Sequence, residues 1–175
     1  MAARKLSVRE RVVRAIVAQY LTIKPPTYAT TVNAVRRYRV IPELVENAPE
    51  ILPVFDDAEY QYRSDTMLWI KVPMHCFFVL DTENRENVDT EFNLFLADIE
   101  RASVIADPVG RTGFRVASGG TPNYRDVWAE AQGNRGYYSD ATPGQCVGRI
   151  TFELTWSQLI KDPALFDDQD VAVTA

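Results

Sequence analysis

The chain has 175 residues, 46% of them apolar, enough for one domain whose core folds without metals or disulfides. Its net charge of -5 argues against a broad basic surface that grips nucleic acid, though not against a wall past which nucleic acid slides unheld. There is no run of about 20 apolar residues for a membrane-spanning helix, and no continuous apolar segment after the positive start, as a secretory signal requires. A cytoplasmic setting is expected. Cys76 and Cys146 fit no ligand cluster and are expected to be buried free thiols.

Ser7-Val8-Arg9-Glu10 reads as a capping box, in which Ser7 caps the backbone and Glu10 reaches back. Val13, Ile16, Val17, Tyr20 and Leu21 then fall on one helical face, and Pro25-Pro26 cannot continue the helix. The first helix is predicted over residues 8–22. Residues 30–40, TTVNAVRRYRV, are rich in β-branched side chains and read as a strand. A linker with acidic and proline punctuation follows over residues 42–49.

Residues 51–62 and 67–80 read as two strands around the polar turn 63–66, a long β-hairpin and the largest expected sheet element. In the second strand Leu68, Ile70, Val72, Met74, Cys76, Phe78 and Leu80 occupy every even position, the period-two pattern of one buried face. Pro73 cannot donate to a ladder, which points to an edge or a bulge. Val88, Phe92, Phe95, Leu96, Ile99 and Ala102 recur at helical spacing, with Asp89 and Glu91 in the first turn and Arg101 near the end, as the helix dipole favours. This predicts a second helix over residues 88–105, stopped by Asp107-Pro108 and Gly110. Asp98 and Glu100 flank its core face and read as non-catalytic.

Residues 114–118 read as a short strand, and 119–144 as a long loop carrying Gly, Asn, Tyr and Trp. Residues 146–156 return to strand. The predicted fold is α+β, a mostly antiparallel sheet with a long β-hairpin and two helices packed on one face. One domain is expected over residues 1–160, followed by an acidic tail over 161–175.

The chemistry-bearing residues are sparse. His75 is the one histidine, and a general base needs a nucleophile and an orienting acid converging on it. No G-x-S-x-G segment accompanies it, so it reads as a strand-face residue. Asp56, Asp57 and Glu59 lack the further convergent oxygens a hard cation needs and read as a solvated strand edge. Gly110-Arg111-Thr112-Gly113 and Gly119-Gly120 have neither a P-loop lysine nor dinucleotide spacing. The expectation is no catalytic residue, no metal and no cofactor. Arg36, Arg37 and Arg39, interleaved with Tyr38, read as a salt-bridged subunit contact or a solvated face in preference to a single-strand grip. Tyr60, Tyr62, Arg63, Trp69, Tyr124 and Trp128 are candidates for a subunit or partner interface, because aromatics and arginine are enriched in interface cores. The competing reading packs these rings beneath the 119–144 loop.

Three features resemble the tail-terminator (tail-completion) proteins of long-tailed bacteriophages. The first is the amphipathic N-terminal helix, residues 9–21, followed by a strand. The second is the strand opening Leu52-Pro53-Val54-Phe55. The third is the segment FNLFLADIERASVIADPVG, residues 92–110, with Ala97-Asp98-Ile99-Glu100-Arg101-Ala102 in its helix. The resemblance spans residues 9–156 but does not cover the 119–144 segment. It implies a structural virion protein at the tail–neck region: a homo-oligomer, a hexameric ring, that caps the head-proximal end of the tail tube. Its partners would be the tail tube protein and a neck or head-completion protein, with DNA passing through the lumen without specific binding. The alternative is another head–tail joining or tail-tube component of the same particle. Two other classes compete: a small hydrolase or transferase, for which no nucleophile–base pair is legible, and a peptide-binding module using an exposed strand edge.

Overall fold

Two 15-residue strands build the centre of the molecule: β4 (Met67–Asp81) and β7 (Gln145–Leu159), paired antiparallel along their whole length. Their period-two faces match row by row, Ile70 with Trp156, Val72 with Leu154, Met74 with Phe152 and Cys76 with Ile150. Every one of these side chains is buried. This is a computed structural model, and it describes residues 6–37, 48–62, 64–81, 87–103, 114–117, 124–138 and 144–161; at 115–117, 124–126, 128 and 133–138 it describes the backbone.

Around this pair the element order is α1 (Val8–Tyr20), β1 (Ala34–Val35), β2 (Glu50–Phe55), β3 (Glu59–Tyr62), β4, α2 (Val88–Ser103), β5 (Phe114–Ala117), β6 (Tyr124–Tyr138) and β7. The seven-stranded sheet runs β1-β2-β4-β7-β6-β5, with β3 pairing β4 on the same edge as β2. Every strand pair is antiparallel except β1–β2. The chain is therefore α+β, with both helices on one face of a mostly antiparallel sheet.

The helices bury the faces their periodicity marks. Val8, Val12, Ile16 and Tyr20 from α1 and Phe95, Ile99 and Ala102 from α2 join the even-numbered side chains of β4 and β7 in one core. Phe78 lies at its crowded end. Its ring centroid is 5.2 Å from Phe92 and 5.4 Å from Phe95. Its cross-strand partner is Gly148, where any Cβ would collide with the Phe78 ring. The absent side chain at 148 is what lets the ring cross β7 and reach α2. On the opposite face a smaller cluster of Ala48, Leu52, Val79 and Val147 is buried, with Phe77 packed against it.

Several expectations need correction. The capping box is half made: Ser7 Oγ accepts from Glu10 N at 3.2 Å, but the Glu10 carboxylate turns to arginines. Of the strand expected over residues 30–40, the described part, 30–37, is strand at Ala34–Val35; at its start Thr30 directs both its N–H and its hydroxyl to Asp98 Oδ2, each at 2.7 Å. Asp98 is thus a buried anchor between α2 and the segment after α1. The hairpin exists, yet the β4–β7 pairing is longer, and its first strand is broken at residues 56–58 into β2 and β3. The 119–144 segment, expected as a loop, is strand over Tyr124–Tyr138: this is β6, paired with β5 and β7. Its glycines, Asn134 and Gln132 hide the strand from propensity, and pairing to β7 overrides them. Residues 42–47, 104–113 and 162–175, with the stop of α2 and the proposed acidic tail, lie outside the described residues.

Candidate functional site

The interruption at residues 56–58 decides what the hairpin presents. Before it Phe55 pairs with Met74, and after it Glu59 pairs with Lys71, so three residues on one strand oppose two on the other. This is a β-bulge, and it falls opposite Pro73. Asp56 N donates to Pro73 O at 3.0 Å, so the proline's missing donor faces the bulge, where no ladder bond is required. The extra residue flips the alternation: Ile51, Pro53 and Phe55 share the core face before the bulge, Tyr60 and Tyr62 after it.

Beyond the bulge, β3 forms an aromatic arm at the edge of the sheet, paired with residues 68–71 of β4, which β7 pairs on their other side. Tyr60 is opposite Ile70 and Tyr62 opposite Leu68, on the helix-bearing side of the sheet, yet they are 61% and 83% exposed. Trp69, opposite Gln61, emerges on the other side and is 41% exposed. The expected aromatic cluster is therefore two surfaces, one on each side of the arm. Tyr124 and Trp128 belong to β6, separated from β3 by β4 and β7 in the sheet order. Tyr124 is opposite Ala117 and Trp128 opposite Thr155. The suggestion that these rings pack under a 119–144 loop loses its loop, and Tyr60 and Tyr62 are uncovered. Arg63 lies outside the described residues.

The basic strand resolves differently. Arg37 grips Glu10 with a two-pronged pair, Nη1 to Oε1 at 3.0 Å and Nη2 to Oε2 at 2.6 Å, and Arg14 Nε adds a third bond to Oε1 at 2.8 Å. These bonds, Arg37 first and Arg14 second, hold the Glu10 carboxyl down at about 2. Arg36 Nε lies 3.2 Å from Oε1 of Glu50, a carboxylate with no exposed surface. Both arginines are thus held by acids of their own chain, where a salt-bridged subunit contact or a solvated face was the expectation. Arg39 and Tyr38 lie outside the described residues.

His75 gains partners that its sequence neighbourhood does not reveal. Its Nδ1 is 2.8 Å from Thr151 Oγ1 on β7, and its Nε2 is 2.9 Å from Asp56 Oδ2 in the bulge. An imidazole between a carboxylate and a hydroxyl can activate that hydroxyl. Thr151, however, sits mid-strand, paired with His75 on one side and Gly133 on the other. Its backbone belongs to the two ladders, so its own N–H is not aimed at an oxyanion. As folded, the row ties the bulge, β4 and β7 together. Lys71 Nζ, 3.1 Å from Glu153, continues the polar face, and Glu130 stands opposite Glu153 on β6.

The thiols are buried and free. Ser103 Oγ donates to Ile99 O at 2.8 Å, so Tyr20 O–H donates to Ser103 Oγ at 2.7 Å, and the Cys76 thiol donates to the Tyr20 oxygen at 3.1 Å. Burial pushes Cys76 up to about 12 and Cys146 up to about 11, so both stay protonated and unreactive at neutral pH. No group of three or more His, Cys, Asp or Glu side chains suited to a metal occurs among the described residues.

No protein-family model and no curated protein sequence matches the chain. Of the features above, the bulge was foreshadowed by Pro73. The partners of His75 and Glu50 were not, because they depend on strand register and on a contact across the fold.

Proposed function

We propose that this chain is a ring-forming structural subunit, a tail terminator that caps the head-proximal end of a phage tail tube and joins it to the neck. The observation that carries this reading is the two-sided arm. Exposed tyrosines on one face and a partly exposed tryptophan on the other suit an element held between neighbours, because large exposed aromatics otherwise form an apolar patch in water. A ring needs heterologous contacts that close by rotation, and an arm whose two sides differ suits such a contact. The resemblance of residues 9–21, 52–55 and 92–110 to tail terminators supplies the identity of the ring.

Imaging of particles assembled without this protein tests the reading. Tails of uncontrolled length are the expected result. Free tails of normal length beside unjoined heads would replace it with a neck component, and normal particles would remove it from assembly altogether.

A further inference from the structure

Two irregularities meet at one level of the sheet. The bulge before β3 faces residues 72–73 of β4. On the far side, β6 carries its own extra residue, Gln132, where the register steps from Ala131–Phe152 to Gly133–Thr151. Through β7 that step lies level with Met74 and His75. Bulges bend a strand and increase its twist, so the sheet is creased along this line. β3 lies on one side of it, while β4 and β7 run through it with their pairing unbroken. Across the crease run three ties to the bulge: Asp56 N to Pro73 O at 3.0 Å, Arg9 Nη2 to Asp56 O at 3.1 Å, and His75 Nε2 to Asp56 Oδ2 at 2.9 Å.

We propose that Asp56 and His75 form a proton-operated latch across this crease, which sets how firmly the edge strand β3, with Tyr60 and Tyr62, is held against β4. With a neutral imidazole, Thr151 O–H donates to Nδ1 and Nε2–H donates to Asp56. Protonation makes Nδ1 a donor to Thr151 Oγ1, so every contact survives, and the Nε2–H bond to the carboxylate becomes charge-assisted. Protonation of the imidazole therefore tightens the latch, and loss of the Asp56 charge loosens it. The charged groups facing this row are Asp56 from the bulge, Arg9 from α1, Arg149 and Glu153 flanking Thr151 on β7, Lys71 on β4 against Glu153, and Glu130 on β6 beyond it. The inference does not depend on the proposed ring, since it concerns the isolated chain.

The single histidine makes the test direct, because any imidazole resonance reports His75. Amide hydrogen exchange is measured for residues 59–62, corrected for intrinsic rates and referenced to the β4–β7 centre, between about pH 5 and about pH 8. Arm protection is expected to be about threefold greater on the acid side, the size of a partly exposed charge pair. Its midpoint should coincide with that of the His75 imidazole, and His75→Gln and Asp56→Asn should each abolish the pH dependence. Arm protection that is independent of pH, or that changes at a midpoint different from the imidazole's, overturns the proposal. So does a folded His75→Gln chain that keeps the dependence. The midpoint comparison uses the unaltered protein, so it stands even if a variant fails to fold.

Discussion

Tyr62 and Trp69 lie on opposite faces of the β3–β4 pair: Tyr62 is opposite Leu68, and Trp69 is opposite Gln61 one pair further on. The bulge at residues 56–58 sets this division, and it makes the two faces separable by mutation. Tyr62→Ala is expected to weaken self-association by about 2 kcal/mol, roughly 30-fold, with the monomer melting temperature unchanged, because Tyr62 is 83% exposed. Trp69→Ala should weaken association independently, so the two losses add in a double-mutant cycle. Sedimentation and thermal melts of the four proteins read this out. A fall in melting temperature with normal association would mean that the rings serve their own chain.

The Arg36–Glu50 pair should behave as a buried charge does. Glu50 has no exposed surface, and Arg36 Nε at 3.2 Å is its ion-pair partner. Arg36→Ala is expected to cost about 2 kcal/mol in chemical denaturation, less than a fully buried pair because Arg36 is 38% exposed. Replacing both, Arg36→Met with Glu50→Leu, should recover most of that loss. If the double variant is no better than the single, the cost lies in packing and not in the stranded carboxylate.

Acid stability should depend on Glu10. Its folded pKa is lowered from 4.5 to about 2 by Arg37 and then Arg14. A depressed carboxylate contributes stability that is fully present above its unfolded value and is lost as pH falls through the folded one. The contribution of Glu10 should therefore fade between pH 4.5 and about 2. Solvent screening trims it to about 1 kcal/mol. Glu10→Gln should lower stability at neutral pH and converge with the parent chain at the acid end, as followed by urea unfolding across that range. Parallel curves for the two proteins would contradict this.

Gly148→Ala tests the crowded end of the core. A methyl there meets the Phe78 ring, which is itself wedged against Phe92 and Phe95. The expected loss is about 2–3 kcal/mol, typical of overpacking. Pairing it with Phe78→Leu should recover part of the loss, because the smaller side chain vacates the space above position 148. Thermal melts of both variants decide the matter.

The elements that the sequence alone determined are those whose burial is written in local periodicity. The even positions of 68–80 and 146–156 and the apolar face of 88–102 needed no knowledge of their partners, since period two and period 3.6 each mark one buried side. Ser7 as a cap and Pro73 as the mark of a bulge were legible for the same reason: a hydroxyl before a helix and a missing N–H act locally. Tertiary structure decided the rest. A one-residue bulge sends Tyr60 and Tyr62 to the face opposite Trp69, and strand composition carries no trace of that parity change. β6 is a strand because β7 offers it a ladder, against the preference of its glycines and amides. Asp56, His75 and Thr151 come from three segments and meet through register; Glu10 and Arg37, 27 residues apart, meet across the fold. Those contacts depend on where the chain returns in space, and that is set by the packing of the whole sheet beneath its helices.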